Sequence, residues 1–340
     1  MSHLTLTAAD DPTLRAHHLS VDGMSPQGPN LSHWPGNRTP PELKADLSTG
    51  ICLQFARATA ADQARWLDGA DQVLNDHYDT DGFLSLLAIT RPEVAQRREE
   101  VCLLAAATGD YQAFHTDRAF AIDRIVLNLG RVEGTPLAGT LDGLSAAGRN
   151  HVRYRWLLDH AEEVLDHPEH LRPLFAAELA DLRAALARAS AGGLHRELRH
   201  DVGLSILRSD GDVPRMVLNT LSGLHRVLHV RSSPTGGWLY RLHERTESWF
   251  ETVTLTPAPR RDLRPVAARL QELEHTEGDP SAEGRWCADD PAEPIPEVYF
   301  GAPGAQEYGA VTRRLAVSAL PPDRVVDVLR GFWREPAPAA

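Results

Sequence analysis

His77, Asp79 and Asp81 stand at alternate positions in the stretch Asn75-Asp76-His77-Tyr78-Asp79-Thr80-Asp81-Gly82. An imidazole with two carboxylates forms an oxygen-rich donor set. Such a set suits Mn2+ or Mg2+ more than the closed sites favoured by Zn2+. Side chains repeat every second residue along an extended chain, so a strand continuing through the stretch would aim all three the same way. A cation held there would lower the pKa of a bound water and polarise an electrophile, and a pair of cations would clamp attacking and leaving oxygens. The competing reading is an Asp-Gly turn whose carboxylates face water.

Other residues of the same chemical kind are scattered along the chain. Ser32-His33-Trp34-Pro35-Gly36-Asn37-Arg38-Thr39 packs an imidazole, an indole, an amide and a guanidinium into one loop, and loops at strand ends commonly carry function. The apolar run Val101–Ala107 leads into Thr108-Gly109-Asp110, with His115 and Asp117 just beyond. If that run is a strand, Asp110 sits at its carboxyl end. If it is a helix, which the alanines favour, Gly109 is the cap and Asp110 has less claim as a ligand. On this basis His33, His77 and Asp81 are the expected catalytic groups, and His77, Asp79, Asp81 and Asp110 the expected metal ligands. Trp34, Asn37, Arg38, His115 and Arg241 are the expected substrate contacts, the arginines holding an anionic group bidentately.

These residues need elements to carry them. The short apolar run Val73-Leu74 enters the ligand loop, and Phe83 to Ile89, with no proline or glycine, leaves it as a buried helix. Leu19–Val21 reads as a short strand into a turn at Asp22-Gly23, and Asn30–His33 as another brief strand. Residues 42–70 and 117–190 carry apolar positions at helical spacing. His151, Arg155 and Asp159 share one helix face that reads as solvated. Beyond Ala191-Gly192-Gly193 the texture changes. Val202–Leu207, Arg226–Arg231, Trp238–Glu244 and Trp249–Thr254 read as strands of an antiparallel meander, with Trp238, Tyr240 and Leu242 on one face and Leu239, Arg241 and His243 on the other. Helices follow over 262–274 and 320–333, with an irregular stretch from Gly284 to Gly301. The expected fold is therefore α/β: a mobile terminus over 1–20, a parallel-sheet domain with many helices over 21–191, and a smaller β-rich α+β domain over 192–340.

With 340 residues, 42% hydrophobic and 24% charged, the chain has material for two ordinary globular domains. A net charge of -12 argues against a nucleic-acid partner, which demands clustered Lys and Arg. Three widely spaced cysteines imply no disulfide framework. No apolar stretch reaches membrane-spanning length, and no signal-peptide pattern opens the chain, so a cytoplasmic protein is expected. The expected partner is a small molecule, with a homodimer as the assembly to test.

Two resemblances add to this. Leu31 to Pro40, Asn75 to Gly82, Thr108 to Tyr111 and Trp286 to Pro291 together resemble a bacterial family of uncharacterised proteins, over most of the chain from about residue 20. Taken alone, His77-x-Asp79-x-Asp81-Gly82 resembles the first motif of the DHH phosphoesterase superfamily. That likeness implies Mn2+ or Mg2+ on the His and two Asp at a parallel strand's end, with Ser85 in the helix behind. The superfamily's Asp-His-His triplet has no counterpart, since Asp159-His160 is followed by Ala161, and no Gly-Gly-Gly-His run occurs. Asp79-Thr80-Asp81-Gly82 also resembles an EF-hand core, but the register puts His77 first and Ala88 twelfth, where that loop needs acids. The expected function is a metal-dependent hydrolase, phosphoesterase-like, on a small anionic substrate. The alternative is a non-catalytic binding protein on a similar scaffold, with Trp34, Trp238 and Trp249 as its surface.

Overall fold

The computed structural model describes residues 4–278, 283–302 and 313–335. It divides into two compact units. The first comprises 1–182 with 250–256, and the second 183–249 with 257–340. The fold is mixed α/β, with a four-stranded parallel sheet in one unit and a six-stranded mixed sheet in the other.

In the first unit β1 (Thr5–Leu6), β2 (Leu19–Val21), β3 (Asn30–Leu31) and β4 (Gln72–Leu74) form the sheet in the order β1-β4-β2-β3. The amino-terminal stretch expected to be mobile thus supplies an edge strand and part of a central one. Between β3 and β4 run α1 (Ser48–Arg57) and α2 (Ala60–Leu67). After β4 come α3 (Thr80–Thr90), α4 (Pro92–Arg97), α5 (Glu99–Asp110), α6 (Asp117–Asn128), α7 (Ala146–Asp159), α8 (Ala161–Asp166) and α9 (Ala176–Arg188). The apolar segment Phe83–Ala88 is the buried helix its composition demands: Phe83, Leu84, Leu86 and Leu87 are wholly enclosed in α3. The alanine-rich run before Asp110 is helical, as propensity favours.

Every parallel strand here is two or three residues long, so each β-strand ends almost as soon as it starts. The carboxyl ends of β2, β3 and β4 therefore deliver Asp22, His33 and the Asn75–Asp79 loop to one edge, where open α/β sheets place their ligands.

In the second unit the sheet runs β5-β6-β7-β8-β10-β9, with β5 (His195–Arg199), β6 (Leu204–Ser209), β7 (Arg226–Ser232), β8 (Trp238–Glu244), β9 (Arg285–Ala288) and β10 (Glu297–Gly301). The pair β6–β7 is parallel and connected through α10 (Arg215–Ser222), so the expected all-antiparallel meander is corrected to a mixed sheet. The stretch from Gly284 to Gly301 contains the hairpin-like pair β9–β10 rather than irregular chain, and Trp249–Thr254 is not a strand. One sheet face, carrying Ile206, Leu228, Val230, Tyr240, Leu242, Val298 and Phe300, packs against α11 (Arg264–Glu277) and α12 (Pro322–Arg334) as an apolar core. The other face carries His229 opposite Arg241 and His243 opposite Glu297 in cross-strand register.

No helix among the described residues is long and apolar enough to cross a membrane.

Candidate metal centre

Strand β2 ends at Val21, and Asp22 follows with φ of 48°, in the left-handed region that Asp and Asn tolerate better than most side chains. The backbone N–H of Asp22 donates to the carbonyl of Leu31, so the turn is pinned to β3. That conformation carries the carboxylate into the protein interior, where Asp22 is 1% exposed.

Both carboxylate oxygens of Asp22 face an imidazole. Oδ2 lies 3.2 Å from Nε2 of His77, and Oδ1 lies 3.6 Å from Nε2 of His33. Around His77 the Asp79 Oδ2 is at 2.9 Å, and Asp76 Oδ1 sits 3.0 Å from Nδ1. Around His33, Asp110 Oδ2 is at 3.3 Å and Asp81 Oδ2 at 3.7 Å. Donor atoms of Asp22, His77 and Asp79 fall within 4.8 Å of one another, as do those of Asp22, His33 and Asp81. Asp22 belongs to both sets. A cation at about 2.1–2.6 Å from each ligand spaces neighbouring donors by about 3–3.7 Å, which is the spacing found here.

The tautomer of His33 follows from its contacts. Nδ1 lies 2.7 Å from the carbonyl of Asp46, an acceptor only, so Nδ1 carries the proton. Burial pushes the imidazole towards its neutral form, which leaves Nε2 with a bare lone pair aimed at carboxylate oxygens. Neither Nε2 of His33 nor Oδ1 of Asp22 has a hydrogen-bond partner, although both are buried. Buried polar atoms without partners are rare in native proteins. Phe250, from the returning segment 250–256, stacks on the same ring at 3.8 Å between centroids and holds its plane.

The electrostatics are those of crowded anions. Burial, then the charges of Asp79 and Asp81, push Asp22 well above the usual carboxylate range. Burial, then Asp81, Asp22 and Asp79, do the same to Asp110. Against its burial, His77 is raised well above the usual imidazole value by Asp79, Asp22 and Asp76. Among the described residues no lysine or arginine ion-pairs with Asp22, Asp79 or Asp81.

The pleat argument for the motif is corrected. Strand β4 stops at Leu74, Asp79 is the N-cap of α3, and Asp81 lies in the helix's first turn. Asp79 Oδ1 accepts from Gly82 N, which frees Oδ2 for His77. Asp81 instead reaches the N-terminus of α1, where Ser48 N, Thr49 N and the Thr49 hydroxyl donate to it at 2.5–2.8 Å. A helix N-terminus offers its unpaired backbone N–H groups to such a carboxylate. The two acids of the motif therefore serve the two sides of Asp22.

A family model described as "Family of unknown function (DUF6687)" matches residues 8–340. The chain belongs to that family. No curated protein matches it. In this DUF6687 member, the family match spans every residue of the cluster from Asp22 to Asp110.

Of the residues expected in the site, the structure brings together His33, His77, Asp79, Asp81 and Asp110, and adds Asp22. Trp34 lies beside the open edge, its ring centroid 5.0 Å from that of His77. The remaining expected contacts are engaged with other groups. Arg38 spends its guanidinium on the carbonyls of Ser25, Pro26 and Gly28, tying down the loop between β2 and β3. Asn37 donates to Trp34 O and to Glu251. His115 is exposed, with Nδ1 3.0 Å from the carbonyl of Ala113. Arg241 belongs to the second unit and pairs with Glu297. An exposed trio, His167, Glu169 and His170, also has ligand spacing, but its members are solvated and locally paired.

Gly82 is needed for space rather than for a turn. A Cβ there would lie 2.4 Å from Asn75 Nδ2 and 2.6 Å from the Tyr154 hydroxyl. Those two side chains hold the ligand loop: Asn75 Oδ1 accepts from His77 N, and the Tyr154 hydroxyl accepts from Asp79 N and donates to His77 O. Gly82→Ala is therefore expected to cost about 1–3 kcal/mol of overpacking. Chemical denaturation would read that loss, and cation affinity would fall with it.

Proposed function

We propose that this protein is a metal-dependent hydrolase whose first unit holds a pair of divalent cations, Mn2+ or Mg2+, across the Asp22 carboxylate. The observation that carries this reading is the buried, partnerless pair Asp22 Oδ1 and His33 Nε2, a carboxylate oxygen and an imidazole lone pair facing each other with further carboxylates around them. Crowded carboxylates around a lone pair are driven to take up protons, the direction in which Asp22 and Asp110 are pushed, and a cation between the donors would turn the same arrangement into a coordination shell. The donor set is oxygen-rich with two imidazoles, which suits hard and borderline ions.

When bound, the cations would supply an acidified water and a polarised electrophile. The residues supply the rest. Asp22 spaces the two positions, and Asp46 through its carbonyl fixes the His33 tautomer. His77, at the open edge with 29% of its side chain exposed, keeps Nδ1 on Asp76, which leaves Nε2 for a cation. Trp34 offers an apolar wall beside it. The substrate class in this reading is a small anionic ester or amide, phosphate esters first.

A non-catalytic reading has one observation in its favour: Asp79 and Asp81 both accept backbone N–H groups at helix N-termini, which is a structural task. That task does not extend to Asp22 or to Nε2 of His33.

The test is elemental analysis of the purified protein followed by turnover on a panel of phosphate mono- and diesters with Mn2+ or Mg2+. Two equivalents of metal per chain and hydrolysis abolished by a chelator are expected. Wild-type protein that neither retains nor responds to any divalent cation ends this account.

A further inference from the structure

The polar face of the second unit's sheet gathers three arginines around one buried carboxylate. Glu297 is fully buried at the start of β10, and three arginines converge on it: Arg215 from α10, Arg241 from β8 and Arg313. Arg241 donates to Glu297 through Nε at 2.8 Å and Nη2 at 2.6 Å, and Arg313 through Nε at 3.2 Å. Asp289 takes a second contact from Arg313 at 2.5 Å.

One of these arginines is incompletely satisfied. The Arg215 side chain is 7% exposed, and only its Nη2 is engaged, on Glu297. Its Nε and Nη1 are buried with no hydrogen-bond partner. A guanidinium carries five N–H donors, so three of them point at nothing. Beside Glu297 in the ladder stands His243, 1% exposed, with Nε2 2.7 Å from Asn219 Oδ1 and Nδ1 without a partner. Burial and the charges of Arg215, Arg241 and Arg245 hold that imidazole well below its usual value, and burial with Arg231 and Arg241 depresses His229. Arg241, at 19% exposed, gives the cluster an edge on solvent.

We propose that the second unit binds a phosphate-type oxoanion, free or as a monoester, on Arg215 with Arg241 and His243 beside it. The ligand chemistry follows from the groups left over. Orphan guanidinium donors require a compact anion with several acceptor oxygens, and arginine forks match phosphate better than a point charge does. The bare Nδ1 of His243 would accept from the hydroxyl that a phosphate monoanion retains. This inference does not depend on the metal centre, and its test is run with metal removed.

Calorimetric titration of the full-length, chelator-treated protein with inorganic phosphate, with phenyl phosphate and with acetate, at fixed chloride, reads the proposal. Saturable phosphate binding in the low millimolar range or tighter is expected, with acetate at least tenfold weaker. Phenyl phosphate equal to phosphate identifies a monoester site, and phenyl phosphate far weaker identifies a site for the free ion. Arg215→Lys keeps one charge on Glu297 but loses the fork, and should weaken phosphate at least tenfold. Arg241→Gln, at the solvent edge, serves as the second variant should Arg215→Lys fail to fold, and should weaken it several-fold. Absence of saturable phosphate binding, equal binding of acetate, or undiminished binding in both variants each overturns the proposal.

Discussion

Asp22→Asn is expected to empty both cation positions at once. Each oxygen of this carboxylate faces a different imidazole, so a single side chain is shared by two ligand sets. Asparagine keeps the shape and accepts the left-handed backbone at this position, where φ is 48°. The variant should therefore fold. What it loses is the negative charge between the two sites and one of two acceptor oxygens. By contrast, His33→Ala and His77→Ala each remove a ligand from one set and should each cost about one equivalent of metal. Cation-dependent turnover in Asp22→Asn should fall by at least about a thousandfold, beyond the roughly 10–100-fold typical of groups one shell further out. Elemental analysis and thermal shifts with Mn2+ across the three variants give the result directly, because a ligand bound only by the native state raises apparent stability. Retention of two equivalents by Asp22→Asn would refute the shared-ligand arrangement.

The second large effect is on stability in acid, and it belongs to the second unit. His229, buried on β7 and bonded to the Ser209 hydroxyl at 2.8 Å, is pushed down to about 3 by burial and by Arg231 and Arg241. The unfolded chain binds this proton near the ordinary value of about 6.5. Between those values the unfolded state holds more protons than the folded one, so stability rises with pH across the window and is lost as pH falls. At pH 4 the penalty for this one group is about 3 kcal/mol, from roughly 1.4 kcal/mol per pH unit over the window. His225, lowered to about 4 by burial and by Arg226 and Arg245, adds in the same direction. His229→Gln should flatten the pH dependence of denaturation below pH 6. An unchanged slope would mean that acid acts elsewhere.

How much of this was legible in the sequence differs from residue to residue. The strand–loop–helix reading around His77 holds because Phe83–Ile89 is apolar without interruption, and such a run has only an interior to go to. Asp79 and Asp81 were singled out for a reason the backbone does not follow. Alternation implies a strand, whereas Asp79 begins a helix as its N-cap, and the two acids diverge to different partners. Asp22 passed as a turn residue because Asp-Gly after a short strand is ordinary turn chemistry. Its position at the carboxyl end of an apolar run in an α/β chain was the available signal. Arg38 illustrates the opposite error: a loop arginine suggests a ligand clamp, yet three backbone carbonyls claim it. The hairpin-like pair β9–β10 escaped notice because its strands are short and separated by Asp and Pro residues. The partner that makes β10 a central strand, β8, lies more than fifty residues earlier in the chain.

The returning segment 250–256 sets an order on synthesis. Phe250 stacks on His33, Glu251 N donates to His33 O, and the Asp46 carboxylate accepts from Val253 N, Thr254 N and the Thr254 hydroxyl. These contacts complete the wall around one imidazole of the cluster, yet they leave the ribosome only after strands β5 to β8 of the second unit. The amino-terminal unit therefore stays incomplete until residue 256 has been made, well past its apparent boundary at residue 182. A fragment ending at residue 182 would lack the ring that orients His33, and cutting the gene at the apparent boundary would separate the acid–imidazole cluster from part of its own frame.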